Sequence, residues 1–313
     1  MINDLGLILA GLVLLVSGAE GLVRGSSSLA RRLGLTPLVI GLTVVAFGTS
    51  APEMVVSVSA VLQGVGDIAV GNVVGSNIAN IGLILGITAL ICPIPVSLSL
   101  LKLDAPVMIL ATLGVAGILL MGGVSFGAGA GLVVALGVYT AWNVRMARRT
   151  APEEAAPFDE EIADRSASVG KDVLYLVAGF AALVLGARVL VDGASDFARG
   201  LGVSEATIGL TVVALGTSLP ELAASIVAAI RKQTDIAVGN IIGSNIFNLL
   251  GILGTAAMVG PLAAPGISRL DLAAMVLLSV AVIPLIWTGR RLIRTEGAVL
   301  LALYVIYLIL VWA

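Results

Sequence analysis

Long unbroken runs of apolar residues dominate this chain, and its polar residues collect in short gaps between them. Ten runs stand out, at roughly residues 5–29, 37–62, 67–92, 103–122, 126–146, 172–194, 204–229, 235–259, 271–288 and 294–312. A helix that crosses a hydrocarbon core of about 30 Å needs about 20 mainly apolar residues. The runs are continuous rather than alternating, so they predict helices and not the strands of a membrane barrel. The first run reads as a span rather than a cleaved leader: residues 1–4 (MIND) carry no positive charge, and the run is long. The expected fold is an all-α integral membrane protein with ten transmembrane helices.

One gap differs from the others. From Arg148 to Lys171 the chain reads RRTAPEEAAPFDEEIADRSASVGK, polar, acidic and with two prolines. This predicts a solvent-exposed acidic linker at 149–170, between a first unit of five helices at 1–148 and a second at 171–313. A plain tether and a regulatory ion sensor are both compatible with its composition. It lacks the spacing of an EF-hand loop.

Composition narrows the class. Of 313 residues 59% are hydrophobic and 12% charged, against about 45–50% and about 25% in soluble domains. So little charge cannot cover a soluble globule of this size. A net charge of −2 gives no basic footprint for nucleic acid. With no His and one Cys there is no disulfide framework and no His/Cys metal or haem site, so no cofactor is expected. The expected surroundings are the lipid bilayer, and no protein partner is implied. Numbering the loops alternately puts 13 Lys and Arg on one face, among them Arg31, Arg32, Arg231 and Lys232, and only Arg199 and Arg269 on the other. The positive face is cytoplasmic. The chain is therefore expected in the cell's inner (plasma) membrane, multi-pass, with both termini outside and the acidic linker inside.

The two halves repeat one another. Residues 40–53 (IGLTVVAFGTSAPE) and 208–221 (IGLTVVALGTSLPE) match at 12 of 14 positions with an offset of 168. Residues 67–80 (DIAVGNVVGSNIAN) and 235–248 (DIAVGNIIGSNIFN) match at 11 of 14 with the same offset. Each half holds an odd number of spans, so the second copy enters from the opposite side. This inverted repeat is the architecture of many secondary transporters, with ions bound near the midplane where the repeats meet.

The repeated segments carry the candidate chemistry. Glu53 and Glu221 fall near mid-bilayer, where an ionised carboxylate is costly unless paired, and no Lys or Arg stands near either in the repeats. A bound cation would supply the missing charge. Thr49 and Ser50 share a helix face with Glu53, and Ser57 extends that stripe. Thr217, Ser218, Glu221 and Ser225 repeat the arrangement. Pro52 and Pro220 lack the N–H that would bond Gly48 and Gly216, so carbonyls from Ala46 to Gly48 and from Ala214 to Gly216 are candidates for coordination. Asn72, Ser76 and Asn80 form a second stripe, as do Asn240, Ser244 and Asn248. For these residues, and for Asn77 and Asn245, ion coordination competes with packing between helices; Gly71, Gly75, Gly239 and Gly243 suit close helix approach. Two carboxylates with hydroxyl, amide and carbonyl oxygens suit hard cations such as Ca²⁺, and Na⁺ accepts the same neutral oxygens. Glu20 with Arg24, and Arg188 with Asp192, form i,i+4 charge pairs at matching places in spans 1 and 6, read as local ion pairs with a gating contact as the alternative.

GTSAPE and GTSLPE, each followed by GNVVGSNIAN or GNIIGSNIFN, resemble the α-repeats of the cation/calcium exchangers. Over its whole length the chain resembles a prokaryotic sodium/calcium exchanger. The resemblance implies electrogenic Na⁺/Ca²⁺ antiport by alternating access, with spans 1 and 6 sliding as a gate. It implies Glu53 and Glu221 as central ligands of Ca²⁺, shared with Na⁺, with the Thr49 and Thr217 carbonyls completing the calcium site. Ser50, Ser76, Ser218 and Ser244, with the Ala46 and Ala214 carbonyls, would serve flanking sodium sites. Asn80 and Asn248 would line the middle. Potassium-dependent relatives carry Asp at the position of Asn248, so Asn in both copies argues against potassium co-transport. Ca²⁺/H⁺ antiport on the same two glutamates is the alternative, since adjacent buried carboxylates favour protonation. A channel fits the inverted repeat less well. No nucleophile–base pair, zinc motif or nucleotide loop suggests an enzyme.

Overall fold

The computed structural model describes residues 2–154, 168–202, 214–263, 265–287 and 289–312, and nearly all of them are helical. The first half contains α1 (Ile2–Leu33), α2 (Pro37–Thr49), α3 (Ala51–Leu62), α4 (Gly66–Ile91), α5 (Leu100–Leu120) and α6 (Phe126–Glu154). The second contains α7 (Val169–Gly200), α8 (Leu219–Ile230), α9 (Thr234–Val259), α10 (Arg269–Trp287) and α11 (Arg294–Trp312). Among the described residues eight single helices are long and apolar enough to cross a membrane, and α2 with α3 makes a ninth, bent by 46°. The tenth expected span ends in the apolar helix α8; its residues 203–213 lie outside the described ones. So do 155–167 of the expected linker, which α6 approaches by running on to Glu154. The chain is an all-helical, multi-pass membrane protein.

The two halves meet through a pair of small backbone ties. Strands β1 (Ile94–Pro95) and β2 (Arg291–Leu292) pair antiparallel, with Ile94 opposite Leu292. An isolated bridge pairs Val124 with Leu262. The repeat offset of 168 converts Ile94 to Leu262 and Val124 to Leu292. The two ties are therefore one contact, made once by each half. Where α5 meets α10, Thr112 Oγ1 donates to Ser279 Oγ at 3.4 Å, joining near-equivalent positions of the halves.

Burial sorts the helices into a centre and a rim. The most apolar stretch of α9 is 100% buried and that of α4 72%, whereas those of α6 and α11 are 17% buried. The helices carrying the GNxxGSN segments are thus enclosed, and the rim shows exposed Leu and Val to lipid, among them Leu110, Val134 and Leu174. A second apolar cluster is separate from this core: Leu15, Ala19 and Leu22 of α1 and Leu183 of α7 pack on Ala224 and Ala228 of α8 and Ile236 of α9.

The close contact of α1 with α7 has a sequence signal. Gly11, Gly18 and Gly25 recur every seven residues, and Gly179, Gly186 and Gly193 repeat them at an offset of 168. A Cβ on Gly18 would stand 2.7 Å from the Gly179 carbonyl oxygen, and one on Gly186 would stand 2.8 Å from Leu15 N. The two backbones touch, which is how membrane helices associate when lipid removes the hydrophobic drive. The paired charges divide. Arg24 Nε donates to Glu20 Oε1 at 2.8 Å, as expected. No Arg188–Asp192 ion pair forms among the described residues, contrary to expectation. At i,i+4 an acid preceding a base is the favoured order; the second pair has the reverse order and the shorter acid.

Gly18→Ala is expected to lower stability by about 1–3 kcal/mol, the usual cost of overpacking. Gly6 has nothing within 4 Å of its would-be Cβ, so Gly6→Ala should be neutral or mildly stabilising. Thermal unfolding of both variants in detergent checks the contrast.

Candidate ion-binding site

The site is built around two helix starts. Pro52 and Pro220 stand early in α3 and α8 and cannot bond back to the preceding turn, so each span breaks before its glutamate. Ser50 and Ser218 sit at the breaks with ψ of 8° and 4°, outside helical geometry. Glu53 and Glu221 consequently lie in the first turns of α3 and α8, where the helix dipole favours negative charge. Each side chain is 1% exposed.

Contacts at the site cross between the halves. Ser50 Oγ donates to Glu221 Oε1 at 2.9 Å. Ser218 Oγ lies 3.4 Å from Glu53 Oε1 and 3.5 Å from Ser76 Oγ. The Thr217 hydroxyl lies beside Glu53, and that of Thr49 beside Glu221. Thr49 Oγ1 also donates to Asn240 Oδ1 at 3.1 Å. The sequence motif places Ser50 on the same helix face as Glu53, yet its bond goes to the other half's glutamate.

Two asparagines hold the glutamate helices in place. Asn72 Nδ2 donates to the Glu53 carbonyl at 3.1 Å and to Ser57 Oγ at 3.0 Å. Asn240 Nδ2 donates to the Glu221 carbonyl at 3.4 Å and to Ser225 Oγ at 3.0 Å. The open reading of Asn72 and Asn240 thus resolves toward packing, and Ser57 and Ser225 are engaged by them. Asn77 bonds within α4, to the Val73 carbonyl at 2.7 Å. Asn245 reaches Met108 Sδ at 3.7 Å.

Several buried polar atoms at these segments lack a hydrogen-bond partner: Glu53 Oε2, Glu221 Oε2, Ser244 Oγ, Asn80 Oδ1, and both polar atoms of the Asn248 amide. Leaving such groups unmatched costs about 1–3 kcal/mol each, more for charges. Asn80 opens a π-helical turn, Asn80–Leu85, and Asn248 is the second residue of another, Phe247–Ile252, a distortion frequent at functional sites. The Ala46 carbonyl is not bare, for it accepts the Ser50 N–H at 3.0 Å. In the second half the Ser218 N–H turns instead to Leu215, at 3.2 Å. Among the described residues neither glutamate meets a Lys or Arg, and no cluster of three or more His, Cys, Asp or Glu occurs. The donor set is two carboxylates and neutral oxygens. Phe180 and Val191, both on α7, cover Gly48 and Gly216 beside the two breaks.

Broken helices from two inverted repeats, meeting at a buried acidic site, define a secondary membrane transporter. The chain belongs to the sodium/calcium exchanger protein family, whose model matches residues 4–145 and 171–313. A putative antiporter, CaxA of Alkalimonas amylolytica, is 40% identical over 84% of this chain and 84% of its own. The sodium/calcium exchanger MaX1 of Methanosarcina acetivorans is 35% identical over 85% of this chain and 86% of its own. A solved structure of the sodium-calcium exchanger NCX_Mj superposes with a TM-score of 0.84 at 35% identity, covering 98% of both chains. The family is one of ion exchangers, not of catalytic enzymes.

Asn240 is fully buried and Asn72 only partly so. Asn240→Ala is therefore expected to cost about 1–3 kcal/mol, and more than Asn72→Ala. Comparing their unfolding midpoints in detergent checks this order.

Proposed function

We propose that the protein is a Na⁺/Ca²⁺ antiporter of the plasma membrane, working by alternating access. The observation that carries this reading is the pairing of Glu53 and Glu221 from opposite halves, each bonded to the other half's serine and each keeping one oxygen without a partner. Ca²⁺ accepts six to eight oxygens in irregular geometry, and two carboxylates neutralise it. Glu53 and Glu221 are its central ligands, with the Thr49 and Thr217 carbonyls beside them. Ser50, Ser76, Ser218, Ser244 and the Ala46 and Ala214 carbonyls serve Na⁺, and Asn80 and Asn248 line the middle. One pocket holds either Ca²⁺ or several Na⁺, and its empty form, doubly charged, resists crossing. That competition couples the ions and makes exchange electrogenic when more than two Na⁺ replace one Ca²⁺. The positive loops face the cytoplasm, so both termini face outward.

Protons are the alternative counter-ion, favoured by the closeness of the two buried carboxylates. The hydroxyl groups at the site favour sodium, because protons have no need of them. Calcium uptake into proteoliposomes under imposed gradients decides between the two. An outward Na⁺ gradient should drive uptake, and an equal proton gradient should not; the reverse result overturns the sodium reading. Glu53→Gln or Glu221→Gln should abolish uptake in folded protein, and near-normal flux in either removes it from the central ligands.

A further inference from the structure

We propose that Glu20 and Arg231 form an ionic latch that closes α1 against the α8–α9 turn, and so biases the side to which the ion site opens. The proposal rests on the alternating-access reading above. Arg231 grips Glu20 with two nitrogens: Nε is 2.8 Å from Oε2, and an Nη is 2.7 Å from Oε1. Arg24 holds the same carboxylate from within α1, at 2.8 Å. Two turns further along α1, Ser27 Oγ donates to Gln233 Oε1 at 3.1 Å. Arg231 and Gln233 both stand in the turn between α8 and α9, where Lys232 adopts a positive φ of 58°. The glycine contact couples α1 to α7, and the latch fastens that pair to the far end of the helix that carries Glu221.

The inverted repeat supplies a control inside the same molecule. When such a transporter changes sides, the halves exchange roles. The opposite closure brings α7 against the turn between α3 and α4. An offset of 168 maps Glu20 to Arg188, Ser27 to Ser195, Arg231 to Gln63 and Gln233 to Val65. Arg188 and Gln63 cannot make an ion pair, and the Val65 side chain has no hydrogen-bonding group for Ser195. The structure is asymmetric in the same sense. α1 packs along α8, whereas α7 has no comparable contact with α3. Ser195 Oγ is buried without a hydrogen-bond partner. One closure therefore has a latch that the other lacks. Glu20 and Arg231 are positioning residues, since neither is part of the ion site.

The test reads opening without needing a transported ion. Cys92→Ser removes the single cysteine, and Ser27→Cys then places a thiol on the face of α1 that meets the α8–α9 turn, at a residue 6% exposed. Its alkylation by N-ethylmaleimide in proteoliposomes should quicken about two- to five-fold with Glu20→Gln, the span a partly exposed ion pair supplies. Arg231→Gln, a change at the surface, should give the same rise, and Arg188→Gln none. Unchanged alkylation in both Glu20→Gln and Arg231→Gln, or an equal rise with Arg188→Gln, overturns the latch. On the Cys92→Ser background, a short bismaleimide joining Glu20→Cys to Arg231→Cys should stop calcium exchange, while each single cysteine exchanges after the same treatment. Cross-linked protein that still exchanges at the single-variant rate overturns it too. The alkylation result stands whether Na⁺ or H⁺ is the counter-ion, so failure of the exchange reading is distinguishable from failure of the latch.

Discussion

Two carboxylates buried at the meeting point of the halves impose a charge that the protein itself does not balance. An ionised carboxylate costs about 3 kcal/mol or more to insert at the centre of a bilayer, even by the gentler insertion scales. Among the described residues no Lys or Arg approaches Glu53 or Glu221. What the chain supplies instead is partial compensation: two helix N-termini, and a serine hydroxyl on each carboxylate. The rest of the architecture serves this arrangement. The prolines break the spans so that the glutamates sit at helix starts. Asn72 and Asn240 fix those starts to the enclosed helices α4 and α9. The enclosure of α9 keeps the site out of lipid.

Because Ser50 answers Glu221 and Ser218 answers Glu53, neither half holds its carboxylate alone. A shift of one broken span against the other alters both contacts together. On the proposed function this is a physical basis for coupling ion occupancy to conformation: a cation bound to both carboxylates would tie the halves, and its loss would leave two like charges facing each other. The glycine-lined pair α1–α7 belongs to a second apolar cluster, which it shares with α8 and the start of α9. The glycines of the pair meet backbone on backbone, and α8 turns the small Ala224 and Ala228 toward it. Small side chains present few ridges to oppose sliding, which suits a moving element.

Much of this was legible in the chain. Ten apolar runs and two motif pairs at an offset of 168 were enough for the helical membrane fold and its inversion. The motif residues Thr49, Ser50, Glu53, Ser76, Thr217, Ser218 and Glu221 do gather at one place. Other features escaped because pattern along one chain does not state partners across two. Nothing in GTSAPE says that Ser50 will bond the opposite glutamate. From sequence Asn72 and Asn240 read equally well as ligands or as ties; in the fold their amide donors point at the Glu53 and Glu221 carbonyls. The heptad glycines of α1 and α7 carry the same 168 offset, a signal present in the sequence outside the polar motifs. The expectation for Arg188 and Asp192 failed because charge order on a helix matters as much as spacing.

The proposed exchange depends on one cation bridging both glutamates, and equilibrium stabilisation tests this without any transport step. A ligand that binds only the folded state raises stability by about 2.7 kcal/mol at one hundred times its dissociation constant. Thermal unfolding in detergent should therefore shift upward with calcium in the wild type, and Na⁺ should compete for the shift. The shift should vanish in both Glu53→Gln and Glu221→Gln. A calcium shift of wild-type size in either variant would contradict a cation shared between the two carboxylates.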